Sequence, residues 1–243
     1  MNPALDAEKI SYALVDGYWR VKVVDEIDST QRALAAQEQL KSGDVLAAEF
    51  QSAGRGRIDR KFEAEKSASL LFSFYYEPTR DRDEWGAIAL IAGLSITQSL
   101  GAGFSTKWPN DVIHTTGKVS GTLCEFHRDG VIVGIGINTA MSVEQLPVPT
   151  ASSVAIATGN ILDRNLLLAQ VLTHFGANIA AWESGVSFID AYTARSATIG
   201  TDVRAELPDG SVKLGTAMSV TQRGELLLSS GEIVSVGDIT HLK

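Results

Sequence analysis

The sequence predicts an α+β protein: a mixed β-sheet flanked by helices over residues 1–195, then a small C-terminal β-barrel over residues 196–243. Three observations carry this expectation. Long apolar segments of helical spacing alternate with runs of β-branched and aromatic residues. Three of those runs are joined by very short turns, which favours antiparallel neighbours and rules out a wholly parallel sheet. After "YTARSATIG" the chain changes to short strands punctuated by "PDG", "QRG" and "SGE", the pattern of a meander that closes into a barrel.

Taken in order, "YWRVKVVDEI" has the β-branched content of a first strand. "DSTQRALAAQEQLKSG" reads as a helix, with Asp28, Ser29 or Thr30 accepting from free amides at its start and Gly43 at its end. "DVLAAEF" is a second strand that leads into a basic stretch, and "SASLLFSFYYEP" a third, closed by Pro78. A long apolar helix follows at "DEWGAIALIAGLSITQSLG", ending near Gly101. "FSTKWPNDVIH", "KVSGTLCEFH" and "VIVGIGIN" are strands joined by "HTTG" and "RDG". "DRNLLLAQVLTHFGANIAAWES" is a second long helix, with Leu166, Leu167, Val171, Leu172 and Phe175 near helical spacing. Four strands complete the barrel: "TDVRAEL", "SVKLGTAMSV", "GELLLSS" and "EIVSVGDITHL".

Bulk properties narrow the function. The 243 residues carry 44% hydrophobic and 21% charged side chains, as in ordinary soluble domains. The longest apolar stretches are too short to cross a bilayer, and the acidic N-terminus lacks the features of a secretory signal. One cysteine excludes an internal disulfide and fits a reducing compartment, so a cytoplasmic location is expected. A net charge of −8 argues against a nucleic-acid partner. The basic cluster "GRGRIDRK" is local, which suits a compact anion.

The common nucleotide fingerprints fail. Lys118 follows Gly117, but Val112 stands where a Walker loop needs glycine, and Val119 where it needs Ser or Thr. The four histidines lie far apart in sequence, with no Cys or carboxylate at ligand spacing, so no protein metal cage is expected. Three elements remain. Gly54 and Gly56 let the segment holding Arg55, Arg57 and Arg60 bend around an anion that each arginine can bind bidentately. The segment predicts a loop that is mobile until a ligand orders it, although a solvated surface loop fits its composition equally well. In "TKWPND" the Trp-Pro step is stiff and holds Asn110 and Asp111 in place; if the following turn folds back, Lys118 joins them, and together they could handle a phosphate and its Mg²⁺. A structural turn with a surface ion pair is the bland alternative. In "GIGIN" the alternate glycines admit a ligand or another backbone, with Asn138 beside it; close helix packing would explain them too. Cys124, Trp19 and Trp182 read as packing residues.

Taken together, "DST", "QSAGRGR", "KWPND", "GKVSGTLCE", "GIGIN" and "GDITHL" resemble the biotin protein ligase family in order and spacing, from about residue 20 to the C-terminus. The resemblance implies a mixed sheet related to the catalytic domains of class II aminoacyl-tRNA synthetases, with an SH3-like barrel behind it. It implies ATP and biotin as substrates, with Mg²⁺ accompanying ATP, and transfer of biotin through biotinyl-5′-AMP to a lysine of a biotin carboxyl carrier domain. By matched position it puts Ser29, Thr30, Gln31, Gln51, Gly54 and Gly121 around biotin. Arg55, Gly56 and Arg57 form the closing loop, and Lys118 touches the biotin carboxylate and the α-phosphate. Arg55, Arg57, Arg60, Phe62, Asn110, Lys118 and Asn138 fall on the nucleotide side, and Asp111 near the reacting phosphate or the incoming lysine. Lys118, Arg55 and Asp111 are the catalytic candidates.

The sequence departs from the family pattern at Ile58 and Asp59, where a basic residue and glycine are usual, at Phe62 in place of Trp, and at Gln31 in place of Asn. Fewer than thirty residues precede "DST", too few for a helix-turn-helix reader, so no DNA binding is expected, and the chain is read as a monomer or weak homodimer. A lipoate ligase or transferase and a non-catalytic biotin binder are the competing readings; intact "GRGR" and "KWPND" weigh against the first, and Lys118, Asp111 and Asn138 together against the second.

Overall fold

The structure, a computed structural model, describes residues 3–15, 17–57, 62 and 64–242. The expectations for Ile58, Asp59 and Arg60 lie outside the described residues. Seven strands form the first sheet: β1 (Arg20–Ile27), β2 (Asp44–Gln51), β3 (Ser69–Tyr76), β4 (Ser105–Lys107), β5 (Asp111–His114), β6 (Gly117–His127) and β7 (Gly130–Asn138). Their order is β1-β2-β3-β7-β6-β5-β4. Only β1 and β2 are parallel; every other pair is antiparallel, so the sheet is mixed.

Helices α1 (Ala7–Ala13), α3 (Ala87–Leu100) and α5 (Arg164–Glu183) belong to the main core, while α2 (Thr30–Ala35) packs with a second, smaller cluster. Alternation along the strands sorts the side chains. Leu70, Phe72 and Phe74 of β3 and Val131, Val133, Ile135 and Ile137 of β7 join Ile88, Ile91, Leu168, Leu172 and Phe175 in the main core. Tyr75 and Ile132 point the other way, into the cluster with Leu34, Leu40 and Leu46. Burying each such side chain contributes roughly 1.5–3 kcal/mol.

Three details correct the sequence reading. The helix expected to reach Gly43 stops at Ala35. Leu40 is buried against the sheet instead, and Gly43, at φ +93°, opens β2 against the Tyr18 carbonyl. "FSTKWPNDVIH" is not one strand but two, β4 and β5, paired as a hairpin around Trp108–Asn110. Leu166 of α5 is exposed, whereas Leu167, Val171, Leu172 and Phe175 are buried.

At the start of α5, Arg164 is fully buried and its Nη2 lies 2.8 Å from the Glu49 carboxylate. The guanidinium also donates to the carbonyls of Ser69 and Pro3. Leu5 N and Ser67 Oγ donate to Glu49 in turn, tying the N-terminal segment and the entry to β3 to one ion pair. Burial alone would raise the Glu49 carboxyl; the Arg164, Leu5 and Ser67 donors outweigh it and hold the group below its usual range.

Two short helices, α4 (Val154–Thr158) and α6 (Ile189–Thr193), complete the helical part. The second sheet contains β8 (Asp202–Glu206), β9 (Val212–Val220), β10 (Leu226–Leu228), β11 (Ile233–Val234) and β12 (Asp238–His241), in the order β11-β10-β9-β8-β12 and wholly antiparallel. It has five strands rather than four, because "EIVSVGDITHL" divides between Val234 and Asp238. Trp108 joins the two sheets: its backbone N–H donates to Thr198 Oγ1 and its indole Nε1–H to the Gly224 carbonyl. Among the described residues no helix is long and apolar enough to cross a membrane.

Candidate active site

The face of the large sheet opposite its main core carries a hollow, and the alternation of residues explains it. Gly134 and Gly136 of β7 stand on that face where side chains would otherwise rise from the strand. Leu71 and Ser73 of β3 and Gly121 and Leu123 of β6 line the same cavity, about 230 Å³ in volume. Neighbouring side chains already use part of the room the glycines leave. A Cβ at Gly134 would collide with Gln31 Oε1, and one at Gly136 would lie 2.5 Å from the Phe62 ring.

At one end, the buried Ser29, Thr30 and Gln31 enter at the start of α2. Thr30 donates to Gln51 Oε1 from its backbone N–H at 2.7 Å and its hydroxyl at 2.9 Å, and the hydroxyl also meets Ser73 Oγ at 2.7 Å. Gln31 Nε2 donates to the carbonyls of Leu123 and Ile132. This end is polar and its hydrogen-bonding groups are held in place by one another.

The glycine–arginine segment leaves β2 over the cavity. Phe62 N donates to the Gly54 carbonyl, and a side chain at Gly54 would strike the Phe62 carbonyl. The two arginines point to different anchors. Arg55 makes a two-pronged pair with Glu125 of β6, at 2.7 and 2.9 Å. Arg57 donates to Asn110 Oδ1 at 3.2 Å and the Gly237 carbonyl at 3.3 Å, and lies 3.7 Å from the Asp238 carboxylate.

The other end is the β4–β5 turn, where the Trp108–Pro109 peptide is cis. Asn110 donates through Nδ2 to the Thr122 carbonyl at 2.7 Å, and Thr122 N returns a bond to the Asn110 carbonyl. The "HTTG" turn does fold back: Lys118 Nζ meets the Asp111 carboxylate at 2.6 Å. Gly121 makes room for this, since a Cβ there would lie 3.3 Å from the ammonium nitrogen. Lys118 is held by its backbone between Thr150 and Ser152. Lys107, Asp238 and Ile239 complete the lining.

Of the residues singled out in the sequence, Ser29, Thr30, Gln31, Gln51, Arg55, Gly56, Arg57, Phe62, Asn110, Asp111, Lys118 and Gly121 line one cavity. Gly54 forms the base of the loop just outside it. Asn138 does not line it: its Nδ2 donates to the Ser152 carbonyl and its Oδ1 accepts from Ser69, so it braces the segment that flanks Lys118. Sequence reasoning passed over Lys107, Glu125 and Asp238. The "GDITHL" stretch was visible as a motif, but no spacing in the chain says that Asp238 reaches a loop so remote in sequence. Cys124 packs against the main core and burial pushes its thiol up to about 12, which leaves no nucleophilic thiolate there. Among the described residues no group of three or more His, Cys, Asp or Glu gathers at metal-binding distance.

Known proteins give the same reading. Residues 23–141 match the biotin/lipoate A/B protein ligase family. The whole chain is 33% identical to the biotin–[acetyl-CoA-carboxylase] ligase of Mycobacterium tuberculosis, covering 98% of that protein. Over 95% of the chain it is 30% identical to the bifunctional ligase/repressor BirA of Salmonella typhimurium, covering 75% of it. Among solved structures, the biotin protein ligase of Aquifex aeolicus in complex with biotin and ATP superposes with a TM-score of 0.80 at 28% identity, over 92% of this chain and 99% of that one. With most of its motifs gathered in one cavity and a curated biotin ligase matched over nearly its whole length, the chain belongs to the biotin protein ligase family, within the wider biotin/lipoate A/B protein ligases.

Proposed function

We propose that this protein is an ATP-dependent biotin protein ligase, which forms biotinyl-5′-AMP and transfers biotin to a lysine of a biotin carboxyl carrier domain. The observation that carries this reading is one cavity with a neutral hydrogen-bonding end and a cationic end. Thr30, Gln51 and Ser73 suit the uncharged ureido group of biotin, and Arg57, Lys107 and Lys118 suit a carboxylate meeting a phosphate.

The chemistry asks for little covalent participation by the protein. The biotin carboxylate attacks the α-phosphorus of ATP and pyrophosphate leaves; the carrier amine then attacks the acyl carbon, giving an amide and AMP. In the first step two anions must approach. Lys118 and Arg57 offset their repulsion and stabilise the charge that develops between them. Asp111 positions the Lys118 ammonium, and its carboxylate is the group we assign to take a proton from the incoming lysine. Asn110 fixes Arg57, and Asn138 fixes the segment at Ser152 that flanks Lys118. The loop from Gly54 to Arg57, with Phe62, covers the cavity and keeps water from the acyl-adenylate. Mg²⁺ would accompany ATP; the Asp111 carboxylate would offer it an oxygen donor beside the phosphates, where the ion would supply charge neutralisation. The acidic net charge of −8 supports a small-anion site over a nucleic-acid partner. We assign residues 1–195 to the catalytic unit and 196–243 to the C-terminal barrel.

The test is transfer of labelled biotin to a purified carrier domain. ATP-dependent labelling of a single carrier lysine is expected; biotin binding without pyrophosphate release would reduce the protein to a binder.

A further inference from the structure

Glu125 has no part in the reaction described above, yet it holds one of the two arginines of the covering loop. It stands on β6 four residues beyond Gly121, on the same face of the sheet and about 13 Å along the strand. Its carboxylate engages Arg55 with both oxygens, in the fork geometry that is the most directional of ion pairs. Arg55 is thereby drawn along β6, away from the strand end where Lys118 meets Asp111. Among the described residues, the cations left on the cavity lining are Arg57, Lys107 and Lys118.

On the reading of the site given above, we infer that Glu125 is a positioning residue: by fastening Arg55 to β6 it holds the loop down over the biotin end of the cavity. Arg55 then acts as a strut that retains the adenylate rather than as a clamp on its phosphate. The loop has two fastenings, Arg55 to the sheet at one end and Arg57 to Asn110 and the barrel at the other.

A double-mutant cycle decides the matter. Wild type, Glu125→Gln, Arg55→Gln and the double variant are loaded with labelled biotin and ATP without carrier domain, and release of biotinyl adenylate is timed. Glu125→Gln is expected to speed release by up to about fivefold, the upper range for a partly exposed pair. The double variant is expected to release no faster than Arg55→Gln alone, and Glu125→Asp to fall between wild type and Glu125→Gln. Release from Glu125→Gln at the wild-type rate, or a double variant whose factor is the product of the two single ones, overturns the inference. If wild type forms no adenylate, the functional reading falls instead. The same cycle timed on labelled biotin alone then still decides whether the pair holds the loop.

Discussion

Lys118 and Asp111 meet at 2.6 Å at the cavity's cationic end, with the lysine side chain 42% exposed. A pair so open to solvent adds little to stability; on the function proposed above, its value is in fixing the ammonium where a carboxylate and a phosphate would converge. Lys118→Ala is expected to slow biotin-dependent pyrophosphate exchange by about tenfold or more, since a charge-assisted contact contributes roughly 1.5–3 kcal/mol. Wild-type exchange in that variant would remove Lys118 from the reaction. Gly134 makes a second prediction of different kind. Alanine there overlaps Gln31 Oε1, and overpacking costs roughly 1–3 kcal/mol, so the KM for biotin should rise about tenfold, more than kcat falls. Adding Gln31→Ala should relieve it; if it does not, the clash lies elsewhere. At this scale much was legible. Lys118 and Asp111 flank a turn visible in the sequence, and that turn brings them together. Asp238 was not, because its partner Arg57 lies in another sheet's loop and no local pattern encodes that meeting.

Elements explain both the site and the misreadings. The β4–β5 hairpin places Asn110 and Asp111 because the chain reverses at Trp108–Asn110; its flanks are β-rich enough to read as one continuous strand. Helix α2 is short because Leu40 gains more by burial against the sheet than by continuing a helix, an effect invisible to local propensity. Strand β12 carries a pH-sensitive contact. His241 Nε2 lies 3.1 Å from Thr198 Oγ1, which accepts from the Trp108 N–H, so a neutral imidazole can take the Thr198 proton. Burial and then Lys107 hold the His241 imidazole below its ordinary value of 6.5. The unfolded chain therefore binds the proton more readily, and this contribution to stability, present above 6.5, is lost as the pH falls through the depressed folded value. Urea midpoints measured between about pH 5 and pH 8 should drop on the acid side, and His241→Gln should flatten that drop. An unchanged slope would acquit the histidine.

The whole molecule is divided in its sheets but not in its site. A separate second sheet was legible from the change in strand length and turn density. The barrel's share in the cavity, through Asp238 and Ile239, was not. Arg57 is bonded to the Gly237 carbonyl, so the covering loop is tied to the second sheet's side of the cavity. At the same seam sits Trp108, buried, on the cavity wall, with its indole N–H on the Gly224 carbonyl. Trp19 and Trp182 lie in the main core, and Trp85 packs against Phe126 away from the cavity. Indole emission shifts with the polarity and hydrogen bonding around the ring. Biotin and ATP should therefore change the protein's intrinsic fluorescence through one residue, and Trp108→Phe should abolish most of that change. The seam between the sheets is thus a built-in optical gauge, from which occupancy and barrel seating can be read without any attached dye.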